Sequence, residues 1–495
     1  MRFPVLGLLL LATASVSAVA TQEAPKLVNV IVTMKDERPR ELTDMKAIRR
    51  RLRKRHVACD ADADGQARSA DGAVHVAEMV NGLVEHAQAI HAPVIEMVNE
   101  AAPNTTTTTT ATSLWITNEV SVRDATPELI EQLRAMPEVG EVRIARVARL
   151  PRRETYANVS ADSTSSGTTA GQQNNTWALE RTQAQLAWQR GFQGQGMRVA
   201  TADSGVIADH ASIAGRMLPK FGWFDAVEGS TTPVDPKGHG TSVMSVLAGT
   251  NDLGVAPQAT WIACRACDAT GDCDETWMLA CAQFLLCPVN ANQQMDCAMR
   301  PHVINMSWNY DAMDERLLEP VIDAWLAAGI VPVFSNGNRG PKCKTVRSPA
   351  DWTSGITVGA TTSADDIAPL SARGPNLNGQ IKPDLSAPGM DVFAAHNSAS
   401  SATVSFTGTS ASAPFVSGAV ALMLQANPKL SPMAIKKLLT SSTDQTPLVP
   451  HIADSCFATA ATDTAMRFPN NVYGHGRLNI DKAVTLATQA TSRRR

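Results

Sequence analysis

The second half of the chain alternates two hydrophobic patterns. From residue 176 onward, short apolar runs are separated by longer stretches in which apolar residues recur every three or four positions. Such runs predict strands and the longer stretches predict helices. This alternation is typical of a mostly parallel, doubly wound α/β sheet, which we predict for residues 176–490. The predicted strands are Val199–Ala202, Thr260–Arg265, Val303–Met306, Ile330–Phe334 and Ile356–Val358, and the predicted helices include Ser242–Ala248, Glu275–Leu286 and Leu317–Ala328.

The pattern before this region is different. Residues 21–153 contain β-branched runs and one amphipathic stretch, Val76–Ile90, whose apolar positions fall on one helical face. These features predict a small α+β unit that precedes the larger domain. Its predicted strands are Leu27–Met34, Leu114–Val122 and Val142–Val147, with a helix at Pro127–Met136.

Three further segments complete the organisation. Residues 1–20 have a basic start, an apolar run and a small-residue site at Ala18-Val19-Ala20, which is the pattern of a secretory signal peptide. Residues 154–175 are rich in Ser, Thr and Gly, which predicts an exposed linker suited to maturation cleavage. Residues 491–495 form a basic tail, and no later stretch approaches the roughly 20 apolar residues of a membrane span. We therefore expect a secreted, extracellular, monomeric protein without membrane partners.

Charge argues against nucleic acid as a partner. Residues 154–495 contain 24 Lys and Arg against 28 Asp and Glu, so the larger domain has no basic lobe. The basic run Arg49–Arg55 fits a nuclear signal or a processing site, but a solvated helix face is the interpretation we prefer.

Cysteine usage agrees with secretion. Of the nine cysteines, six lie between Cys264 and Cys297. In an oxidising compartment this distribution predicts disulfides, although the pairing stays open. The alternative, a zinc site at Cys264 and Cys267, lacks a second ligand pair nearby. Sequons suited to glycosylation occur at Asn104, Asn158 and Asn174.

Three short motifs place reactive side chains at element boundaries. Asp203 follows a predicted strand, His239 opens a helix, and Ser410 stands where another apolar helix begins. Each motif alone is more often a turn or a helix cap. Together they supply an anion, a base and a nucleophile, and the helix start adds a free backbone N–H. The combination indicates nucleophilic catalysis by serine.

The same motifs belong to longer blocks that resemble the subtilisin family of serine peptidases. The resemblance covers about 300 residues, and the cysteine-rich stretch before Val303–Ser307 is similar to the bacillopeptidase F-like branch. It implies a subtilisin-like fold and a serine endopeptidase. The blocks that carry it are VATADSGV at 199–206, GHGTSVMSVLAG at 238–249, SNGN at 335–338, SARGP at 371–375, KPDLSAPG at 382–389, TGTSASAPFVSG at 407–418 and YGHGRLNIDKAV at 473–484.

The resemblance also implies roles for individual residues. Ser410 would be the nucleophile, His239 the general base, and Asp203 the group that orients the imidazole. Asn338 would be the side-chain donor to the oxyanion, with Asn336 as a competitor two residues away. The residues implied in substrate binding are Ser307, Trp308, Asn309, Ser335, Asn336 and Gly337.

One position departs from the family pattern. The strand that receives substrate usually carries glycines after its Ile-Asn-Met-Ser block, whereas this chain has Ser307-Trp308-Asn309-Tyr310. We expect these side chains to narrow the cleft next to the scissile bond.

Residues 21–153 resemble the family's inhibitory propeptide, which implies a self-processing zymogen whose propeptide is an intramolecular inhibitor. An unrelated accessory domain is the alternative. Protein or peptide substrates are the other expected partners. No cofactor is expected to be required, and structural calcium, common in the family, is not assigned because no acidic cluster is convincing.

Two other functions compete with this interpretation. A secreted serine esterase would normally carry a G-x-S-x-G turn with Ser before His, and this chain has neither. A catalytically inactive secreted binding module on the same fold is the alternative from another class. Against it, all four catalytic positions hold competent residue types.

Overall fold

The structure is a computed structural model that describes residues 27–35, 67–101, 109–151, 155–160, 175–446, 448, 456 and 467–490. Several predictions from the sequence lie outside these residues: the signal peptide 1–20, the basic run 49–55, the sequons at Asn104 and Asn174, most of the linker and the tail 491–495.

The N-terminal unit is a four-stranded antiparallel sheet with two helices, as its α+β pattern predicts. The strand order is β2-β3-β1-β4. The sheet buries a small apolar core that includes Val30, Val32, Val120 and Leu133. Its elements are β1 Val28–Met34, α1 Ala67–Ala101, β2 Thr110–Leu114, β3 Glu119–Ala125, α2 Pro127–Ala135 and β4 Val139–Ile144.

Two predicted strands of this unit are each divided in the structure. The apolar run 114–122 contains a turn that ends at Asn118, whose φ of 60° reverses the chain between β2 and β3. The second run leaves the sheet after Ile144 and re-forms as β5, Val147–Arg149. Strand β5 pairs instead with Asp272–Asp274 of the larger domain. The local sequence pattern does not predict this pairing.

Part of the predicted linker is also a strand. Residues Thr155–Ser160 form β6, which pairs antiparallel with Thr403–Thr407 of the larger domain. The composition of the predicted linker did not indicate this strand. A free sheet edge supplies backbone partners that composition does not reveal.

The larger domain has the predicted α/β architecture. Seven parallel strands have the order β14-β13-β12-β11-β7-β9-β8, and helices cover the sheet. Its strands are β7 Arg198–Asp203, β8 Trp223–Asp225, β9 Thr260–Arg265, β10 Asp272–Asp274, β11 Val303–Met306, β12 Val331–Ser335, β13 Ile356–Thr361, β14 Leu385–Pro388, β15 Val392–Ala395 and β16 Thr403–Thr407. Its helices are α3 Thr176–Arg181, α4 Ala184–Gln189, α5 His239–Ala248, α6 Glu275–Leu286, α7 Glu319–Ala327, α8 Thr409–Ala426, α9 Pro432–Ser441 and α10 Ile480–Gln489, with a short 3₁₀ turn at Cys297–Met299.

Helix α8 is the central helix of the domain. Every residue from Thr409 to Leu424 is buried, and the helix packs against α5, α10 and strands β11–β14. This explains why its sequence is apolar all round rather than on one face. The N-termini of α5 and α8 are thereby fixed at the carboxyl edge of the sheet.

All eight cysteines after residue 260 are paired, which confirms the prediction of disulfides. Cys264 bonds to Cys281 and Cys267 to Cys273, so neither sulfur is available for zinc. The other pairs are Cys287–Cys297 and Cys343–Cys456. In the described ranges, no three His, Cys, Asp or Glu side chains come together as metal ligands. No helix within them has the length and apolar character needed to cross a membrane.

Candidate active site

Asp203 and His239 are joined by a short hydrogen bond. Asp203 is the last residue of β7 and His239 is the first residue of α5. The imidazole Nδ1 lies 2.6 Å from Oδ1 of Asp203, and both side chains are fully buried. This contact leaves Nε2 as the ring nitrogen that faces other groups.

The strand end and the helix start approach each other closely because a glycine separates them. A Cβ on Gly240 would lie 2.1 Å from the carbonyl oxygen of Gly205 and 3.1 Å from the Cβ of Asp203. A larger residue at this position would push α5 away from β7. The Gly in the His239-Gly240 pair is therefore a geometric requirement for the contact between Asp203 and His239.

A second buried carboxylate, which the sequence analysis missed, holds the start of α5. Oδ1 of Asp235 accepts hydrogen bonds from the N–H of Gly238 and from Oγ of Ser204, both at 2.8 Å. Oδ2 accepts from the N–H and hydroxyl of Thr241. The N-cap preference does not predict it, because Asp235 stands three residues before the N-cap Gly238. Asp235 thus ties the helix that carries His239 to the residue after Asp203.

Ser410 is the second residue of α8 and is fully buried in this structure. Its Oγ donates to the backbone carbonyl of Ser307, 3.2 Å away. The ring of Phe406, four residues earlier, lies edge-on to His239 with centroids 5.6 Å apart. The Phe406 contact and the packing of α8 against α5 therefore bring the helix that carries Ser410 next to the helix that carries His239.

Asn338 and Asn336 differ in how their amide groups are used. The Nδ2 of Asn336 donates to the carbonyl of Ala372 at 2.5 Å. The Oδ1 of Asn338 accepts from the N–H and hydroxyl of Thr409, at 2.9 and 2.8 Å, whereas its buried Nδ2 has no partner among the residues that the structure describes. A buried donor without a protein partner costs free energy. Asn338 thus presents a free donor beside Ser410.

The segment Ser307–Tyr310 sends its side chains to two sides. Trp308 is buried in the core and donates from Nε1 to the carbonyl of Ala202 at 3.0 Å. Burial also raises the pKa of the neighbouring Tyr310 well above its ordinary value. Because side chains alternate along an extended segment, Ser307 and Asn309 face the other way. The expectation that the Trp308 side chain lines the cleft was therefore wrong.

Asn309 bridges the two walls of the cleft. Its Nδ2 donates to the carbonyl of Ser335 at 3.1 Å. A Cβ on Gly337 would lie 3.3 Å from Oδ1 of Asn309, and the φ of 99° at Gly337 also requires glycine. Residues 335–337 and residues 307–309 therefore stand on opposite sides of one narrow space.

Strand β5 lies between Asn309 and β10. Arg149 exchanges two backbone hydrogen bonds with Asn309, at 3.0 and 3.3 Å, and pairs with Asp272 of β10 on its other side. The N–H of Leu150 donates to the carbonyl of Gly271 at 2.9 Å. A segment of the N-terminal unit thus runs as an added strand between two edges of the larger domain. No sequence pattern predicts β10, since a three-residue strand shows no periodicity.

Comparisons with known proteins agree with this geometry. A sequence model of the subtilase family, peptidase class S8, matches residues 194–476. The chain is 30% identical to bacillopeptidase F of Bacillus subtilis (strain 168) over 400 residues, which are 76% of this chain and 26% of that protein. It is 31% identical to serine protease AprX of the same strain, over 51% of this chain and 62% of that protein. With subtilisin Savinase of Lederbergia lenta it shares 29% identity, over 63% of this chain and 99% of that protein.

The chain thus spans about a quarter of the length of bacillopeptidase F and less than two thirds of AprX. The family match covers more than half of this chain and includes Asp203, His239, Asn338 and Ser410. The predicted subtilisin-type resemblance and fold are confirmed, and the chain belongs to the subtilase family of serine peptidases.

Proposed function

We propose that the chain is a secreted serine endopeptidase that cleaves peptide bonds through an acyl-enzyme on Ser410. The observation that carries this proposal is the 2.6 Å contact between Asp203 and His239 at a site that also holds Ser410 and a free amide donor. The proposal also rests on the family to which the chain belongs.

The proposed chemistry assigns one task to each group. The Ser410 hydroxyl turns from the Ser307 carbonyl to Nε2 of His239, which takes its proton as Oγ attacks the substrate carbonyl carbon. Asp203 holds the ring tautomer and stabilises the imidazolium. His239 then protonates the leaving amine, and an acyl-enzyme remains on Ser410. In the second step, His239 takes a proton from water as the water attacks the acyl-enzyme, and the carboxylic acid product is released. The N–H of Ser410 and Nδ2 of Asn338 donate to the oxyanion in both steps.

Labelling with a fluorophosphonate tests the proposal directly. The reagent phosphonylates only an activated serine, so we expect one adduct, on the peptide that contains Ser410. The adduct should be absent from the His239→Ala variant, which keeps the serine but loses its base. An unlabelled but folded wild-type protein would favour the inactive binding module.

We further propose that the N-terminal unit is an inhibitory propeptide. Its β5 strand fills the cleft, and its contacts to α6 are charged and buried. The guanidinium of Arg143 donates twice to Glu275, at 2.7 Å each, and the N–H of Arg146 donates to the same carboxylate. Burial lowers the pKa of Arg143, but the hydrogen bonds to Glu275 raise it, and the pKa stays above its ordinary value. A fully buried Glu275 without this partner would be costly, so the contacts favour a tightly bound unit.

The same positions support a zymogen that processes itself. The two described ends of the predicted junction are held beside catalytic segments: β5 pairs with Asn309, two residues after Ser307, and β6 pairs with β16, which precedes Ser410. Secretion is supported by the leader pattern and by four disulfides, which persist in oxidising compartments. Cleavage in this region would separate the inhibitor from the peptidase.

The side chain of Asn309 is proposed to restrict the residue just before the scissile bond. It spans from the Ser307 segment to the Ser335 carbonyl, where a large side chain would enter. Asn309→Gly should therefore raise kcat/KM for bulky aromatic residues at this position more than for alanine. Filling or emptying a pocket by one or two methylene groups alters selectivity by about 10- to 200-fold, and this range is the upper limit for the effect of Asn309→Gly.

Matched peptides that differ only in this residue measure the effect of Asn309→Gly. The ratio of kcat/KM for Phe against Ala is compared between the variant and the wild type. An equal change for both peptides would show that Asn309 does not wall the pocket.

A further inference from the structure

The segment in the cleft has a register that identifies its subsites. Arg149 stands opposite Asn309 in an isolated antiparallel bridge, and extending the same register by two residues would place Pro151 opposite Ser307. The Ser307 carbonyl is the group that Ser410 Oγ contacts at 3.2 Å. On this register, Pro151 is the residue presented to the nucleophile Ser410. Arg149 is then the third residue before the peptide bond that follows Pro151.

The side chain of Arg149 lies between two carboxylates of the larger domain. Its Nε donates to Oδ1 of Asp272 at 2.9 Å, and its Nη1 is 3.5 Å from Oδ2 of Asp311. The flanking residues Ala148 and Leu150 are buried, so the guanidinium is the polar part of an otherwise apolar contact. The hydrogen bond and charge of Asp272 raise the pKa of Arg149 above its ordinary value.

The backbone of Asp272 and the carboxylate of Asp311 are held by parts of the larger domain itself. The N–H of Asp272 donates to Oδ1 of Asp268, and the next residue is tied to Cys267 by a disulfide. The carboxylate of Asp311 is paired with Arg339. Because these contacts do not involve the N-terminal unit, we expect Asp272 and Asp311 to stay at this position after that unit departs.

We propose that Asp272 and Asp311 form a binding site for an arginine side chain at the third position before the scissile bond. The inference rests on the proposed function and names the substrate class that the cleft selects: extended peptides with a basic third residue flanked by apolar ones. Arginine is favoured over lysine because its fork of donors reaches two carboxylates, whereas an ammonium is a single point charge.

The test compares three peptides of the form Ala-Xaa-Leu-Ala before the cleaved bond, with Xaa as Arg, Gln or Glu. The enzyme is recovered after expression of the full chain, and kcat/KM is expressed per serine labelled by fluorophosphonate. Exposed ion pairs are weak, so we expect Arg to exceed Gln by about 3- to 10-fold and Glu to be the poorest. The preference should shrink in 1 M salt, where charges are screened.

Variants identify the residues responsible. Asp272→Asn and Asp311→Asn should each lower the ratio of kcat/KM for the Arg peptide to that for the Gln peptide, and Asp272→Arg should favour Glu over Arg. Asp252→Asn is the control for loss of one charge, since Asp252 follows the far end of α5 and Asn tolerates its φ of 56°.

The outcomes separate the two proposals. An Arg-to-Gln ratio near one with active, labelled enzyme overturns the arginine site and leaves the peptidase proposal intact. A ratio that persists in the Asp272 and Asp311 variants overturns the assignment of these residues. Absence of both labelling and hydrolysis overturns the proposed function and, with it, the arginine site.

Discussion

The variant Ser410→Ala should hydrolyse no peptide at a measurable rate, and it should fold and be exported like the wild type. The change removes the nucleophile Oγ and one hydrogen bond to the Ser307 carbonyl, and alanine is well tolerated in the first turn of α8. The reference size for removing this nucleophile is the roughly 10⁶-fold loss in kcat known for subtilisin itself. Peptide hydrolysis, with thermal unfolding as the control for folding, measures the result.

The same variant should remain uncut. The wild type is expected to lose roughly its first 150 to 175 residues, whereas Ser410→Ala should accumulate as the full chain. Combining it with His239→Ala should cost scarcely more than either change alone, because the triad acts as a unit. Normal trimming of Ser410→Ala in a protease-free preparation would show that another enzyme matures the chain, and full peptidase activity would remove Ser410 from the site.

The variant Asn338→Asp should lose most of its kcat with little change in KM. Aspartate keeps the acceptor for the N–H and hydroxyl of Thr409 but replaces the free Nδ2 donor with an oxygen. In this family, removal of one oxyanion donor costs about 10²–10³ in kcat. The added negative charge beside the oxyanion should make the loss at least that large.

Asn336→Asp is the matched control for Asn338→Asp. The Nδ2 of Asn336 already donates to the Ala372 carbonyl, so Asn336→Asp should lower the unfolding temperature. Its loss of kcat should be smaller than that of Asn338→Asp. Steady-state kinetics and thermal unfolding of both variants separate the two roles. A loss of kcat confined to Asn336→Asp would move the proposed oxyanion donor to that residue.

Long elements with a strong pattern were predictable from the sequence. Helix Glu275–Leu286 and strands Thr260–Arg265 and Val303–Met306 have the bounds that their apolar runs predict. Each of these elements is mostly buried from its first residue to its last, so its apolar run is not interrupted. Pattern failed where the chain changes partner within an apolar run. The run 114–122 turns at Asn118, and the run 142–147 passes from one sheet to another.

The sequence by itself determined the fold class, the family and the motif positions of Asp203, His239, Asn338 and Ser410. Each of these residues stands at a strand end, in the segment that follows a strand, or at a helix start. Such elements are predicted by the short-range pattern of apolar residues, so these positions can be recognised from the sequence.

The tertiary structure alone decided which amide of Asn336 and Asn338 is free, where Trp308 points and how Asp235 holds α5. It also brought Val147–Arg149 between β10 and Asn309, more than 120 residues away in sequence. Such contacts depend on which edges and donors remain unpaired after the whole sheet has formed, and no local stretch of sequence carries that information.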